Sequence, residues 1–551
     1  MTVKLSPSET HWLELESARL EVADADKREQ LAKAQAELEA VMIDQPGEPQ
    51  SSDEPDLGGA PFNIARPGHS PKFIIVGAGV GGMALGVRLR QAGYDDFVIL
   101  EKGDDIGGTW HHNKYPGIAC DVVPYAYSFT FFPNPHWSEP SAPGSEIQDY
   151  LRNLADHFRL VEKIRFNSHV DSCVYRDGQW NVSLAGGETM AADILLLASG
   201  FLHIPNIPSF EGQDRFRGQI LHSTQVHGDE SVRDKRVAVI GNGSSAVQIV
   251  SNIPGLATDV NVFQRTAQWI LPGDPEPYSE RRRKMLEKHP RLLRALYEYH
   301  AAALGNSYGV AAVRESEWRQ IFVDLTQAYL DTVVDPELRA KLTPDYPVLC
   351  KRLVISASFY GAIQLPNVHL ITDGIAGFEE KGIRTLDGKL HEVDTIILAT
   401  GFDTQAFFRR LNISVEGGPT VDDAWIDGAR SSDTVALAGF PNLFFVGGPF
   451  TTIGNLPLMR AYEFQSGHIM RLIAAMQEGG FKSIMPSKAR EEAFMALMRG
   501  REGATAWLRD SCSSWYIDAN GHVSIWTGTP DEFTAHLLEG PDLKHYTVSA
   551  V

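Results

Sequence analysis

At 551 residues, with 43% hydrophobic and 22% charged residues, the chain has the composition of an ordinary soluble globular protein of two or three domains. Its formal net charge of −20 argues against nucleic acid and against an anionic membrane surface as partners. No apolar run reaches the length of a membrane span and the start of the chain lacks the basic-then-apolar order of a signal peptide, so a cytoplasmic protein is expected.

Residues 1 to about 43 read as helical, with Ser8 or Thr10 able to cap the start. Leu31, Ala34, Leu38 and Val41 follow at helical spacing and form one apolar stripe. Such a stripe serves either packing on its own subunit or a homodimer made through the N-terminal helix, and both readings stand at this point. From Gln45 to Pro71 the chain is rich in Pro, Gly, Ser and Asp and reads as a linker.

Next comes a dinucleotide-binding pattern. The buried-strand run Phe73-Ile74-Ile75-Val76 enters Gly77-Ala78-Gly79-Val80-Gly81-Gly82, a helix is expected from Met83 to Ala92, and Phe97-Val98-Ile99-Leu100 is the second strand. The pattern recurs as Val237-Ala238-Val239-Ile240, Gly241-Asn242-Gly243-Ser244-Ser245-Ala246, a helix to about Ser251, and Val260-Asn261-Val262-Phe263. The first glycine permits the tight turn, the second lets backbone approach a pyrophosphate, and the third position needs a small side chain, which Gly82 and Ala246 both supply. The helix N-terminus then offers unpaired N–H groups to the phosphates. The residue 24 positions past the first glycine is Glu101 in one copy and Arg265 in the other. An acid there accepts from a ribose hydroxyl, whereas an arginine suits a 2′-phosphate. One flavin or NAD site and one NADP site are therefore expected.

Asp193-Ile194-Leu195-Leu196-Leu197-Ala198-Ser199-Gly200 and Asp394-Thr395-Ile396-Ile397-Leu398-Ala399-Thr400-Gly401 are similar strand-and-turn segments that bracket the second pattern. They suggest an α/β fold with two Rossmann-like domains, the second inserted in the first. The boundaries that follow are 1–70 for the N-terminal helical arm and linker, 71–201 for the first part of the first domain, 202–365 for the second domain with a helical insertion at 275–346, and 366–551 for the return to the first domain and the C-terminal segment. Cys120, Cys173, Cys350 and Cys512 are widely spaced with no Cys-x-x-Cys pair, so neither zinc nor a redox-active dithiol is expected and the thiols are read as reduced. His111 and His112 are adjacent, their side chains diverge, and no metal is read there.

The segments after Glu101 resemble a known family. Gly107-Gly108-Thr109-Trp110, Asn113-Lys114-Tyr115-Pro116-Gly117, Cys120-Asp121 and Tyr127-Ser128-Phe129 are similar to the flavin domain of type I Baeyer–Villiger monooxygenases, within the class B flavin monooxygenases. Phe216-Arg217-Gly218 with His222, Val262 to Thr266, Cys350-Lys351-Arg352, Ala399 to Asp403 and Cys512-Ser513-Ser514-Trp515-Tyr516 extend the resemblance over about residues 72 to 530. The chain departs from the family pattern at Val226-His227, where Trp then Pro or Asp is usual, at Phe201, and at Trp526-Thr527 in place of Trp-Pro.

The resemblance implies FAD and NADPH as cofactors. It also implies that a peroxyflavin inserts one oxygen atom of dioxygen beside a ketone carbonyl, giving an ester or lactone. It implies catalytic roles for Arg352 and its partner Asp121. Gly77, Gly79, Gly82, Glu101, Gly108, Thr109, Trp110, Asp121, Tyr127 and Val170 would hold the flavin. Gly241, Gly243, Ser244, Ser245, Arg265, Thr266 and Lys351 would hold NADPH, with Phe450 to Met459 near the substrate. The alternative within the class is oxygenation of nitrogen or sulfur, which needs no arginine at the position of Arg352. A pyridine nucleotide–disulfide reductase would need a cysteine pair near the flavin, and a non-catalytic flavoprotein or binding scaffold would be excluded by NADPH oxidation that rises with added ketone.

Overall fold

Two five-stranded parallel sheets organise the chain. The computed structural model describes residues 3–21, 25–45, 47, 59–60, 64–65, 70–452, 454–508 and 512–550. In the first sheet Leu443–Phe445, Ile194–Leu197, Phe73–Val76, Phe97–Leu100 and Ile164–Arg165 lie in that order. Phe73–Val76 and Ile194–Leu197 are buried at every position, as parallel strands covered on both faces must be. In the second sheet the order is Val368–Ile371, Asp259–Phe263, Arg236–Ile240, Thr395–Leu398 and Gln219–His222. Smaller sheets flank both, a mixed one built on Val170–Arg176 and Gln179–Leu184 and an antiparallel one of Ile375–Glu379, Gly382–Thr385 and Leu390–Glu392.

The strand partners correct the expected boundary at 366. Val368–Ile371 pairs with Asp259–Phe263, and Thr395–Leu398 pairs with Arg236–Ile240 and Gln219–His222, so both belong to the second sheet. The chain rejoins the first sheet only at Leu443–Phe445. The two similar strand-and-turn segments are not two passes through one sheet. Each supplies the strand behind its own glycine turn, Ala198 behind Gly77 and Ala399 behind Gly241.

Between Glu280 and Leu342 the chain is helical, as Glu280–Lys288, Pro290–Leu304, Glu317–Leu330, Pro336–Leu342 and shorter turns. Gly305–Gly309 forms a single π turn inside this run, a local widening that recurs at functional sites.

The N-terminal arm is two helices, Pro7–Glu21 and Ala25–Met42, packed on Glu280–Lys288 and Pro290–Leu304 of the same chain. The predicted apolar stripe is not the buried face: Ala34 and Val41 are exposed, whereas Trp12, Glu16, Gln35, Glu39 and Met42 are buried. The reason is a polar seam. Glu16 receives both terminal nitrogens of Arg282, at 2.8 and 3.1 Å, together with Arg19 at 3.3 Å and Gln35 at 2.9 Å. His289 joins Glu9 at 3.0 Å and the carbonyl of Met42 at 3.0 Å. The Arg282 guanidinium also lies over the rings of Trp12, Tyr125 and Tyr278. Most of the expected linker, 45–71, lies outside the described residues.

Candidate active site

In the first nucleotide unit Gly77 leaves its strand with φ +104°, and a side chain on it would strike the carbonyl oxygen of Ala198 at 2.6 Å. A Cβ on Gly82 would lie 1.9 Å from the Gly77 oxygen. Helix Val80–Gln91 begins at Gly79 with no side chain capping it, so its first N–H groups face the turn. Glu101 ends the second strand, buried, and accepts from the Ala78 N–H at 2.7 Å and the Gly103 N–H at 2.8 Å. Burial pushes its carboxyl up, but contacts from His112 and those two N–H groups outweigh it and hold Glu101 ionised.

Gly108, with φ +55°, opens the short helix Thr109–His112 against Gly79. Trp110 Nε1 donates to the Tyr127 hydroxyl at 3.3 Å with the rings edge to face. His111 turns to Asp104 at 2.8 Å while His112 turns toward Glu101. Val170 starts the strand Val170–Arg176 in the adjoining sheet.

The second unit repeats the geometry. Gly241 has φ +118° and is backed by the Ala399 oxygen at 2.4 Å from its would-be Cβ. Helix Ser244–Asn252 begins at Gly243 with no side-chain cap, and Ser245 lies beside the Tyr115 hydroxyl. Arg265 is exposed and makes no ion pair among the described residues, while Asn242 donates to the Thr266 carbonyl. Lys351 lies over the Tyr346 ring at 4.3 Å. Burial first, with Arg265 nearby as a second cause, lowers its pKa. The two cations therefore share one patch, which fits a dianionic phosphate.

The units dock through helix Ser244–Asn252. Tyr115 donates to Gln248 at 2.9 Å, and Gln248 donates to the Ala119 carbonyl at 2.9 Å. The connecting segment adds a second seam. His222 caps the turn Ser223–Gln225 and contacts the Gly401 carbonyl at 3.0 Å. Val226 is fully buried, and His227 bridges to Lys114, with the Gly228 N–H donating to the Lys114 carbonyl. The unusual Val226-His227 pair thus sits where the segment crosses to the first unit.

At this junction Arg352 meets Asp121, Nη2 to Oδ1, at 2.6 Å. Asp121 keeps the guanidinium firmly protonated, and 29% of the arginine side chain remains open. Tyr308, from the π turn, accepts from the Leu353 N–H at 3.4 Å, and Tyr516 and Gly454 complete the surroundings. The loop from Phe450 to Met459 divides: Phe450 packs on Phe494 in the core, whereas Gly454 and Asn455 face Tyr516 and the π turn.

The expectation of four reduced thiols is corrected. Cys350 and Cys512, 162 residues apart, form a disulfide, while Cys120 and Cys173 are buried free thiols. Pairing of distant cysteines depends on the fold, which spacing alone does not reveal. Tyr308 and Tyr516 were the other omissions. The only local signals were the Gly305–Gly309 bracket around Tyr308 and the place of Tyr516 in the C-terminal signature.

Two uncapped helix N-termini behind glycine turns, an ionised acid at the end of one second strand and an arginine just past the other with Lys351 nearby fit an enzyme that handles two dinucleotides. Residues 70–277 match the model of the flavin-binding monooxygenase-like family. The chain is 33% identical to a Baeyer–Villiger monooxygenase of Pseudomonas aeruginosa over 84% of its own length and 89% of the relative's. It is 41% identical to an uncharacterized monooxygenase of Mycobacterium tuberculosis, covering 87% and 97% of the two chains. Its fold superposes on a steroid monooxygenase bound to NADP with a TM-score of 0.77 at 27% identity, over 88% of this chain and 100% of that one. A cyclohexanone monooxygenase of Rhodococcus bound to NADP+ gives the same score at 25% identity, over 88% and 99%.

The protein is thus an NADPH-dependent flavoprotein monooxygenase with FAD and NADPH as its cofactors. Within that class it belongs to the type I Baeyer–Villiger monooxygenase family. No helix among the described residues is long and apolar enough to cross a membrane.

Proposed function

We propose that this enzyme inserts one oxygen atom of dioxygen beside the carbonyl of a small-molecule ketone, giving an ester or lactone, while NADPH is oxidised and the second oxygen leaves as water. The Asp121–Arg352 pair carries the reading. A guanidinium is always protonated and presents fixed donors, so it favours negative charge on an oxygen beside it. Asp121 takes one terminal nitrogen and fixes the plane, leaving the other free to face a reacting oxygen. Oxygenation at nitrogen or sulfur has no oxyanion for such a group to stabilise.

FAD, when bound, supplies the oxygen-activating chemistry, and NADPH supplies its reducing equivalents. The turns at Gly77, Gly79 and Gly82 and at Gly241, Gly243, Ser244 and Ser245 hold the two pyrophosphates against helix N-termini. Glu101 accepts from the FAD ribose. Arg265, Lys351 and Thr266 take the 2′-phosphate of NADPH. Gly108, Thr109, Trp110, Tyr127 and Val170 line the flavin, and within Phe450–Met459 it is Gly454 and Asn455 that border the substrate.

The test is Arg352→Ala, assayed over a panel of ketones and sulfides with products identified by mass spectrometry. Ester formation is expected to disappear while NADPH still reduces the flavin. Ester formation that persists in the variant refutes the reading.

A further inference from the structure

We infer that Tyr516 is a second hydrogen-bond donor in the oxygenating site, directed at the same substrate oxygen as Arg352. This rests on the ketone reading above. Its phenol oxygen is buried and has no hydrogen-bond partner among the described residues. A buried hydroxyl without a partner is costly, so native proteins seldom retain one unless something else meets it. Gly454 shows which charged group the hydroxyl neighbours. A Cβ built on this glycine would fall 3.1 Å from the Tyr516 hydroxyl and 3.9 Å from Arg352 Nη1. Both donors therefore border one glycine, and no side chain from it separates them. Tyr308 borders Gly454 only with a ring carbon at 3.8 Å, its hydroxyl oxygen being turned to the Leu353 N–H, from which it accepts. Of the two tyrosines it is Tyr516 that presents its hydroxyl beside Arg352.

The phenol is held firmly. Its ring lies between Trp507 and Trp515, with centroids 5.2 and 4.2 Å away. Its backbone oxygen accepts from the Ser524 N–H at 2.9 Å, and its N–H donates to Ser514. The Cys350–Cys512 disulfide ties this segment to the one that carries Arg352. Burial keeps the phenol protonated far above its ordinary range, with the neighbouring Tyr308 acting in the same direction. It therefore keeps its hydrogen at neutral pH. Arg352 and Tyr516 together form a two-point oxyanion site: the ketone oxygen lies between them, and both contacts strengthen as the carbonyl carbon becomes tetrahedral.

Tyr516→Phe removes one oxygen atom and leaves the ring packing intact. In the FAD-loaded variant, flavin reduction by NADPH and thermal stability should match the parent enzyme. Ester formation should fall about a hundredfold, the scale seen when one oxyanion donor is removed, with hydrogen peroxide replacing the lost product. An independent reading comes from isotope-edited infrared spectra of a 13C-carbonyl ketone bound to the oxidised holoenzyme. The carbonyl stretch should lie below its solution value in the parent and move back toward it in the variant. Ester formation within twofold of the parent, or an unchanged carbonyl stretch, overturns the inference and leaves the ketone reading standing. No ester from either enzyme overturns both.

Discussion

The seam under the N-terminal arm gives a prediction that can be worked from distances. Glu16 and Arg282 form a two-point ion pair with side chains 1% and 6% exposed. Glu16→Gln leaves the shape and removes the charge, stranding a buried guanidinium. Breaking one partner of such a pair costs about 3 kcal/mol or more, since the remaining charge has lost its compensation. That corresponds to more than a hundredfold rise in the population of the undocked arm. Arg19 softens the loss, because it keeps Asp274 at 3.2 Å. The assay is hydrogen–deuterium exchange of helices Pro7–Glu21 and Ala25–Met42, which should lose protection while the two parallel sheets keep theirs. Adding Arg282→Met, which takes away the stranded charge and refills the volume, should restore part of the protection. Unchanged exchange in Glu16→Gln, or a double variant worse than the sum of the singles, would show that the pair does not hold the arm.

Three further outcomes follow from the geometry. Arg265→Ala and Lys351→Ala should each raise KM for NADPH by about tenfold or more, the worth of one charge-assisted contact, and leave KM for NADH nearly unchanged; steady-state kinetics with both nucleotides decide this, and equal effects on the two would refute the 2′-phosphate assignment. Peptide mapping of unreduced protein should recover the Cys350 and Cys512 peptides as one linked species, which Cys512→Ser abolishes. The structure should also fail on the acid side. Burial raises the carboxyls of Glu16 and Asp433, but Arg282 and Arg19 around one and His536 and Arg490 around the other outweigh it, so both folded pKa values are depressed. Stability from these groups is complete above the ordinary carboxylate range and is lost as pH falls from about 4 through the depressed values; near-ultraviolet circular dichroism from pH 6 to pH 2 should show the loss beginning there rather than near neutrality.

What the sequence made legible was local. Strand, glycine turn, helix and terminal charge lie within about thirty residues in each nucleotide unit, and the structure has them where the pattern placed them. The same locality explains the errors. Asp193–Gly200 and Asp394–Gly401 carry one local signal, and only hydrogen bonding to Phe73–Val76 in one case and Arg236–Ile240 in the other distinguishes their sheets. Helical spacing picked out Leu31, Ala34, Leu38 and Val41, but Gln35 and Glu39 face inward, Gln35 donating to Glu16 and Glu39 accepting from Trp12, in a seam that Arg282 and His289 complete from far along the chain. The Asp121–Arg352 contact joins residues 231 apart, and it came from the likeness to a family rather than from any spacing.

The glycine turns bear on how one cofactor can be removed without the other. At Gly77, Gly82 and Gly241 the polypeptide itself forbids a side chain, because its own carbonyl oxygens already occupy the space. The middle glycines differ. A methyl on Gly79 would meet Gly108 at an ordinary 3.4 Å, and one on Gly243 would meet no atom of the chain within 4 Å. Glycine at Gly77, Gly82 and Gly241 is thus a requirement of folding, whereas the middle ones are reserved for the guest. Gly243→Ala should give a protein that folds, carries FAD and melts like its parent, yet has lost its grip on NADPH: a version of this enzyme with its reductant port closed and everything else in place.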